Sequence, residues 1–102
     1  MPSPGIKRLG HVCLGSRDLG KTLAFYRDIL GCTVVHEFKT PKDWTYGLFL
    51  LVNNDTFLEF FHQQDRQQEG GLFRHMCFEV EDIHAFAGTM AQKGFSPEVI
   101  RG

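Results

Sequence analysis

The chain has 102 residues, a formal net charge of −1 and a hydrophobic content of 42%. This length suits one small domain, and this composition suits a packed core. The weak charge, with no cluster of Lys or Arg, argues against a nucleic-acid partner. The longest apolar run, Leu48 to Val52, is far too short to span a membrane. With three cysteines, no C-x-x-C pair and no apolar signal core after Met1, we expect reduced thiols in the cytoplasm.

The first third of the chain predicts one strand and one helix. Residues 6–14 alternate enough to form a strand. Asp18 is a plausible N-cap, and Gly31 lies where a C-terminal glycine is expected. Between them runs an apolar stripe at helical spacing: Leu19, Leu23, Tyr26 and Leu30.

Three further strands are predicted in the middle of the chain. Residues 33–38 are β-branched and aromatic, which is typical of a strand. A turn at 40–43 separates them from a strand over 44–52, and a second turn at 53–55 leads into a strand over 56–62.

The last part repeats helix and strand signals after a polar segment. Residues 63–72 lack an apolar period and contain Gly70-Gly71, which indicates a linker. A strand over 73–80, a helix from about Asp82 to Lys93 and a strand over 95–100 are expected. The predicted order is β-α-β-β-β, linker, β-α-β.

An internal repeat organises these elements. The segment from His11 to Leu19 resembles the segment from His75 to Ile83, with His, Cys and Asp recurring in step. A repeat of this length usually indicates two copies of one supersecondary unit. We therefore predict module one at about 6–62, a linker at 63–72 and a partial module two at 73–102. A complete second copy would need two more strands, so we expect the natural chain to continue or a homodimer to cover the open edges.

Two histidines and one glutamate are candidate metal ligands. His11 and His75 occupy equivalent positions, and imidazoles brought together from matched strands suit a transition metal. Glu59 lies in a strand with apolar neighbours, so it is expected to be exposed, protonated, paired or bound to a metal. The alternatives are ordinary core or surface histidines and an edge-strand glutamate that faces water. The repeat places a fourth ligand at about position 123.

Other residues are candidates for the walls of a substrate pocket. Cys13 and Cys77 follow the two histidines by two residues, so they are expected to share the strand faces of those histidines. A soft thiolate can ligate a metal, although small core filler is the alternative role. Aromatic side chains of the third strand can form a pocket wall or pack in the core: Trp44, Tyr46 and Phe49. The remaining histidines are expected to be surface or structural, and His62 is expected to face away from Glu59: His36, His62 and His84.

The chain resembles the vicinal oxygen chelate superfamily of glyoxalase I, bleomycin resistance proteins and extradiol dioxygenases. The resemblance extends from Leu9 to Ile100. It rests on these segments: Gly10-His11-Val12, Asp18-Leu19, Phe25-Tyr26-Arg27-Asp28-Ile29-Leu30-Gly31, Leu58-Glu59-Phe60 and Arg74-His75-Met76-Cys77-Phe78-Glu79-Val80-Glu81-Asp82.

The resemblance implies an α+β fold of paired βαβββ modules, a glyoxalase-like open barrel, here with the second module incomplete. It further implies a divalent metal ion, Zn, Ni, Fe, Mn or Co, held by His11, Glu59 and His75. Glu59 is the implied catalytic residue, as the general base. Extradiol dioxygenases take their glutamate from the later module, so Glu59 favours glyoxalase-like and epimerase-like members.

Two departures bear on the substrate. The bacterial glyoxalase I that the chain resembles has an arginine four residues after its first ligand histidine, where this chain has Gly15. It has an asparagine four residues after its first ligand glutamate, where this chain has Gln63. Glutathione as a cosubstrate is therefore in question.

The leading hypothesis is a metal-dependent lyase or isomerase, related to lactoylglutathione lyase, that acts on a small α-oxygenated carbonyl compound. The alternatives are a metal-free protein that sequesters small molecules, as the bleomycin resistance proteins do, and an extradiol dioxygenase-like enzyme. All three need a small-molecule ligand, and we expect a homodimer with no nucleic-acid or membrane partner.

Overall fold

A computed structural model describes residues 5–63 and 75–98. The chain divides into two compact units, Met1–Asp65 and Arg66–Gly102, which are described separately. The bounds of the elements are β1 His11–Ser16, α1 Leu19–Leu23, π-helix Ala24–Ile29, β2 Thr33–Lys39, β3 Thr45–Asn53, β4 Thr56–His62 and α2 Ile83–Gln92. The π-helix follows α1 directly in the first unit, and α2 is the described helix of the second unit.

The four strands form one open, mixed sheet in the order β1-β4-β3-β2. β4 pairs with β3 in antiparallel and with β1 in parallel, and the helical segment connects the two edge strands β1 and β2. This α+β arrangement confirms the predicted β-α-β-β-β order of the first module. The predicted start of the first strand at residue 6 is wrong. Pairing begins where the Phe57 N–H donates to the Gly10 carbonyl, and Ile6 and Leu9 before it are exposed.

The helical segment begins and ends where the sequence predicts. The Asp18 carboxylate accepts a hydrogen bond from the Lys21 N–H at 3.0 Å, as an N-cap should. At the other end Gly31 has φ +84°, a left-handed conformation that favours glycine. The prediction of one continuous α-helix is wrong in its second half, because the chain widens into a π-helix after Leu23. The wider turn places the Tyr26 ring on Phe60 of the sheet, at 4.9 Å between centroids.

One face of the sheet forms the hydrophobic core against the helical segment. Leu48 and Leu50 of β3 are fully buried, and their β4 partners Phe60 and Leu58 are nearly so. These residues alternate along the strands, as expected for a sheet that is covered on one side. The opposite face carries the alternate residues and is called the open face below.

Two β-bulges place additional side chains on the open face. Val34 pairs with Leu50, but His36 pairs with Phe49, so Val35 is an extra residue in β2. A bulge of this kind shifts the following residues to the other face. His36 and Phe38 therefore lie on the open face, where strict alternation from Val34 would have placed them in the core.

The second bulge concerns Tyr46 of β3. Phe38 pairs with Gly47 and Lys39 with Thr45, which leaves Tyr46 as the extra residue. The Tyr46 ring lies 6.1 Å from the ring of Phe38 and 6.1 Å from that of Phe61. The bulge thus brings Tyr46 to the aromatic side chains of the open face.

Gly47 has no side chain, which leaves space on the open face for the rings of Phe61 and Phe38. A Cβ at this position would lie 2.5 Å from Cδ1 of Phe61 and 3.0 Å from Cδ2 of Phe38. We predict that Gly47→Ala lowers the free energy of unfolding by roughly 1–3 kcal/mol, because both rings must shift. Urea unfolding measures this change.

The matched control is Gly88→Ala in α2, where a Cβ meets nothing within 4 Å. Alanine is favoured over glycine inside a helix, so we expect a gain of about 0.5–1 kcal/mol. Equal effects of the two substitutions would contradict the close approach at Gly47.

The second unit contains the predicted helix, but the described residues 75–80 before it form no strand. The Asp82 carboxylate accepts hydrogen bonds from the N–H groups of His84 and Ala85, both at 3.0 Å, and caps α2. The strand predicted over 73–80 is wrong for residues 75–80, which are irregular. Residues 95–98 are irregular as well, while residues 64–72 of the linker and 99–100 of the last strand lie outside the described residues.

Residues 75–80 and 95–98 are irregular because strand propensity alone does not make a strand. A strand needs hydrogen-bonded neighbours, and within the described residues neither 75–80 nor 95–98 is paired with a neighbouring strand.

Across residues 5–63 and 75–98, no helix is long and apolar enough to cross a membrane.

Candidate functional site

The open face carries a row of chemically distinct side chains across all four strands. Cys13 of β1 pairs with Glu59 of β4, Glu59 with Phe49 of β3, and Phe49 with His36 of β2. Neighbouring strands are roughly 4.8 Å apart, so these four residues lie side by side. The sequence predicted Cys13, Glu59 and Phe49 as site residues, and the sheet brings them together.

His11 lies next to this row, beside Glu59. Its Nε2 atom is 3.9 Å from Oε1 of Glu59. The Glu59 side chain is 19% exposed and that of His11 is 51% exposed, so the carboxylate is sheltered and the imidazole is accessible. The His11 ring meets the edge of Phe49 at 5.5 Å, and Phe49 stacks on Phe57 at 4.9 Å. The His11–Glu59 pair therefore lies next to the stacked rings of Phe49 and Phe57.

The Cys13 thiol interacts with Glu59. Partial burial raises the pKa of Cys13, and the negative charge of Glu59 and a hydrogen bond to its carboxylate raise that pKa further. The thiol is the donor, so it remains protonated at neutral pH and helps to hold the carboxylate. Cys13 is a free cysteine.

We predict slow alkylation of Cys13 at pH 8 and faster alkylation in Glu59→Gln. Only the thiolate is nucleophilic, and the loss of the Glu59 charge lowers the pKa of Cys13, which increases the thiolate fraction. The measurement is the rate of iodoacetamide labelling from pH 7 to 10, in a background with Cys32→Ser and Cys77→Ser. An unchanged pH profile in Glu59→Gln would show that the two side chains do not interact.

The His11–Glu59 pair fits a divalent metal ion in donor type and spacing. Imidazole nitrogen and carboxylate oxygen are both common ligands of such ions, and Nε2 of His11 lies 3.9 Å from Oε1 of Glu59, so these two side chains could hold one. Among residues 5–63 and 75–98, no three His, Cys, Asp or Glu side chains are grouped so that they could hold a metal. The described geometry thus provides a pair of ligands, and the three-ligand set stays a prediction.

His75 and Cys77 belong to the second unit, and both are exposed. Because residues 75–80 are irregular, the expectation that His75 lies in an early strand equivalent to that of His11 is wrong. Cys77 therefore shares no strand face with His75. The Cys77 thiol donates to the Phe78 carbonyl at 3.7 Å.

Trp44 and Tyr46, the other predicted pocket residues, lie at the end of the sheet where the hairpin turn joins β2 to β3. They are 53% and 37% exposed, so neither is packed in the core, and their place in a pocket wall stays a prediction. His62 contacts Trp44 edge to face at 5.4 Å, and its neighbour Phe61 shares the open face with Glu59.

Sequence reasoning missed His36, which was expected to be a surface or structural residue. It lies in the row with Glu59 because of the bulge at Val35. No sequence signal marks this bulge, since Val34, Val35 and His36 are all compatible with a regular strand.

The open sheet and its row of site residues define the class of protein. A family model, "Glyoxalase/Bleomycin resistance protein/Dioxygenase superfamily", matches residues 8–102. The chain belongs to this superfamily, as the resemblance in its sequence implied.

Particular relatives give the family membership more detail. Methylmalonyl-CoA epimerase, mitochondrial, from Homo sapiens is 30% identical over 95 residues, which cover 84% of this chain and 53% of the epimerase. The chain thus spans about half the length of that relative. Lactoylglutathione lyase from Neisseria meningitidis is 29% identical over 96 residues, covering 85% of this chain and 67% of the lyase. The crystal structure of a glyoxalase family protein from Enterococcus faecalis aligns with a TM-score of 0.71 and 27% identity, covering 93% of this chain and 79% of that one.

Proposed function

We propose that this protein is a divalent-metal-dependent isomerase or lyase that moves a proton next to a carbonyl group in a small α-oxygenated substrate. The observation that carries the proposal is the pair of His11 and Glu59, 3.9 Å apart on the open face. The names of two relatives, an epimerase and a lyase, support it.

His11 and Glu59 would hold the ion. A divalent ion supplies a Lewis acid that stabilises negative charge on a carbonyl oxygen. In the first unit, the Phe49 ring packs against the His11 ring, and the Phe57 ring stacks on Phe49.

Glu59 would serve as the general base. Its carboxylate accepts the proton from the carbon next to the carbonyl, the C–H bond breaks, and the electron pair moves to the carbonyl oxygen. The protonated carboxyl group then returns the proton to the same carbon or to the neighbouring carbon. The Cys13 side chain, paired with Glu59 across β1 and β4, would help to orient the carboxylate.

The test combines metal analysis with proton exchange. Purified protein is reconstituted separately with Zn²⁺, Ni²⁺, Fe²⁺, Mn²⁺ and Co²⁺ and dialysed, and bound metal is measured by mass spectrometry. Exchange of the α-proton for deuterium is then followed by NMR with two substrates. One is the hemithioacetal that methylglyoxal forms with glutathione, and the other is methylmalonyl-CoA. Stoichiometric metal together with metal-dependent exchange supports the proposal, and the absence of bound metal would refute it.

Oligomeric state belongs to the same proposal. Strands β1 and β2 form the two edges of the described sheet, and uncovered edges favour pairing with another chain. We propose a homodimer, which sedimentation or light scattering tests, and a strict monomer would contradict it.

A metal-free binding protein is the second candidate, and the aromatic rings of the open face favour it. Phe49 and Phe57 stack at 4.9 Å, and Phe38 and Phe61 lie 5.2 Å apart on the same face. Such rings bind planar apolar ligands without a metal. His11→Ala separates the candidates: it abolishes metal-dependent exchange under the first and leaves ligand affinity unchanged under the second.

A further inference from the structure

His36 of β2 and Glu59 of β4 lie on the two sides of one strand, on the open face of the sheet. Both residues pair with Phe49 of β3, which runs between them. Since neighbouring strands are roughly 4.8 Å apart, the backbones of β2 and β4 are about 10 Å apart. His11 and Cys13 belong to β1, on the other side of β4. The space between Glu59 and His36 is therefore separate from the space that Glu59 shares with His11.

The Phe49 ring is directed away from the line that joins Glu59 to His36. It lies 5.5 Å from the His11 ring and 4.9 Å from the Phe57 ring, between centroids. His11 and Phe57 pair with each other in the next row of the sheet, so the Phe49 ring leans toward that row. A small group can therefore lie above the Phe49 backbone, with a carboxylate on one flank and an imidazole on the other.

The β-bulge at Val35 is what turns His36 toward this space. With Val35 as the extra residue, His36 pairs with Phe49 of the open face. Bulges are over-represented next to active sites, where they re-aim a side chain. The His36 ring is held edge to face against the Phe38 ring, at 4.6 Å between centroids, and the residue is exposed. The imidazole thus has a packing partner on one side and remains accessible to a ligand.

We propose, on the basis of the function proposed above, that His36 is a second catalytic acid–base residue and that the reacting carbon lies between it and Glu59. One carboxylate reaches one side of a carbon atom, so a proton that Glu59 removes and returns leaves the configuration unchanged. Imidazole both gives and accepts protons near neutral pH. Each group must come within roughly 3–3.5 Å of the carbon, which side chains on strands about 10 Å apart can reach from opposite sides.

The proposed reaction inverts a carbon that carries one hydrogen next to a carbonyl group. Glu59 takes the proton from one side, and the electron pair of the broken C–H bond moves to the carbonyl oxygen. Protonated His36 then donates its proton to the same carbon from the other side, and the electron pair returns to form the new C–H bond. The protein is left with protonated Glu59 and neutral His36, which is the state that inverts the opposite enantiomer, and exchange with water restores the first state.

The test follows each enantiomer at C2 of methylmalonyl-CoA separately in D₂O, with metal-reconstituted protein. In His36→Gln we expect kcat for inversion to fall by about 100-fold or more, because glutamine neither gives nor accepts the proton. The enantiomer that Glu59 deprotonates should still exchange its α-proton with retained configuration, whereas exchange of the other enantiomer should be lost. The matched control is His62→Gln, on the opposite face of the same sheet, which should behave as the original protein.

Chemical labelling tests the position of His36 in the unaltered protein and without turnover. Diethyl pyrocarbonate modifies accessible imidazoles, and peptide mass mapping gives the rates at His36 and His62 in the same sample. Saturating methylmalonyl-CoA should block labelling of His36 and leave labelling of His62 unchanged. Labelling of His36 at the same rate with and without this substrate would overturn the inference.

The outcomes separate this inference from the proposed function. Inversion at an unchanged kcat in His36→Gln would overturn the role of His36 and sustain the enzyme, whereas the absence of exchange in the original protein would overturn both. Because His36 is exposed, His36→Gln should fold, which far-UV circular dichroism checks, and it should retain its metal. Loss of metal from this variant would make His36 a ligand rather than an acid–base residue and so overturn the inference.

Discussion

Replacement of Glu59 by glutamine should reduce metal-dependent α-proton exchange by about 100-fold or more. Glutamine keeps the shape of the side chain but can neither accept the proton nor supply a charged oxygen to a cation. Positioned acid–base groups contribute roughly 10²–10⁴-fold to a rate. The measurement is kcat/KM for deuterium exchange together with the metal content of the dialysed protein, and both are expected to fall.

The control for Glu59→Gln is Glu98→Gln, which makes the same change at an exposed residue. It should leave exchange and metal content unchanged. Because Glu59 lies at the surface of the open face rather than in the core, Glu59→Gln should unfold at nearly the same urea concentration as the original protein. Full exchange activity in the folded Glu59→Gln protein would remove Glu59 from the mechanism.

Replacement of Leu48 by alanine should lower the free energy of unfolding by about 2–5 kcal/mol. Leu48 of β3 is fully buried on the sheet face that packs against the helical segment. It is paired with Phe60 of the neighbouring strand β4. The substitution removes apolar contacts and leaves a cavity that this packed layer only partly fills. A domain of ordinary stability has about 5–15 kcal/mol in total, so much of it would be lost. Urea unfolding followed by circular dichroism measures the change.

Leu9→Ala is the matched control, because it makes the same substitution at a side chain that is 64% exposed. Its effect should stay within about 0.5 kcal/mol. If Leu9→Ala were as damaging as Leu48→Ala, the core would not lie on the face of the sheet described above.

Local signals made much of the first module predictable. Asp18 caps its helix as the sequence predicted, because an N-cap depends on a side chain and the backbone within a few residues. The turn at 40–43 also formed, with the Asp43 N–H donating to the Thr40 carbonyl. The strand over 56–62 is predictable because it alternates, and the same alternation placed Glu59 and Phe61 on one face and His62 on the other.

The alternation rule failed where pairing between distant strands inserted a residue. The bulges at Val35 and Tyr46 depend on how β2 aligns with β3, and neither residue carries a local mark of it. They move His36 and Tyr46 to the open face and so change the composition of the candidate site. A reading of either strand alone cannot detect this shift.

The sequence by itself determined the family, the helix cap at Asp18 and the order of elements in the first module. These follow from motifs and from contacts between residues near in sequence. Only the tertiary structure decided where β1 begins, that residues 75–80 are irregular, and that His36 and Tyr46 join the open face. Each of these depends on hydrogen bonds to a partner strand far along the chain, and a partner's register is a property of the folded sheet rather than of any one segment.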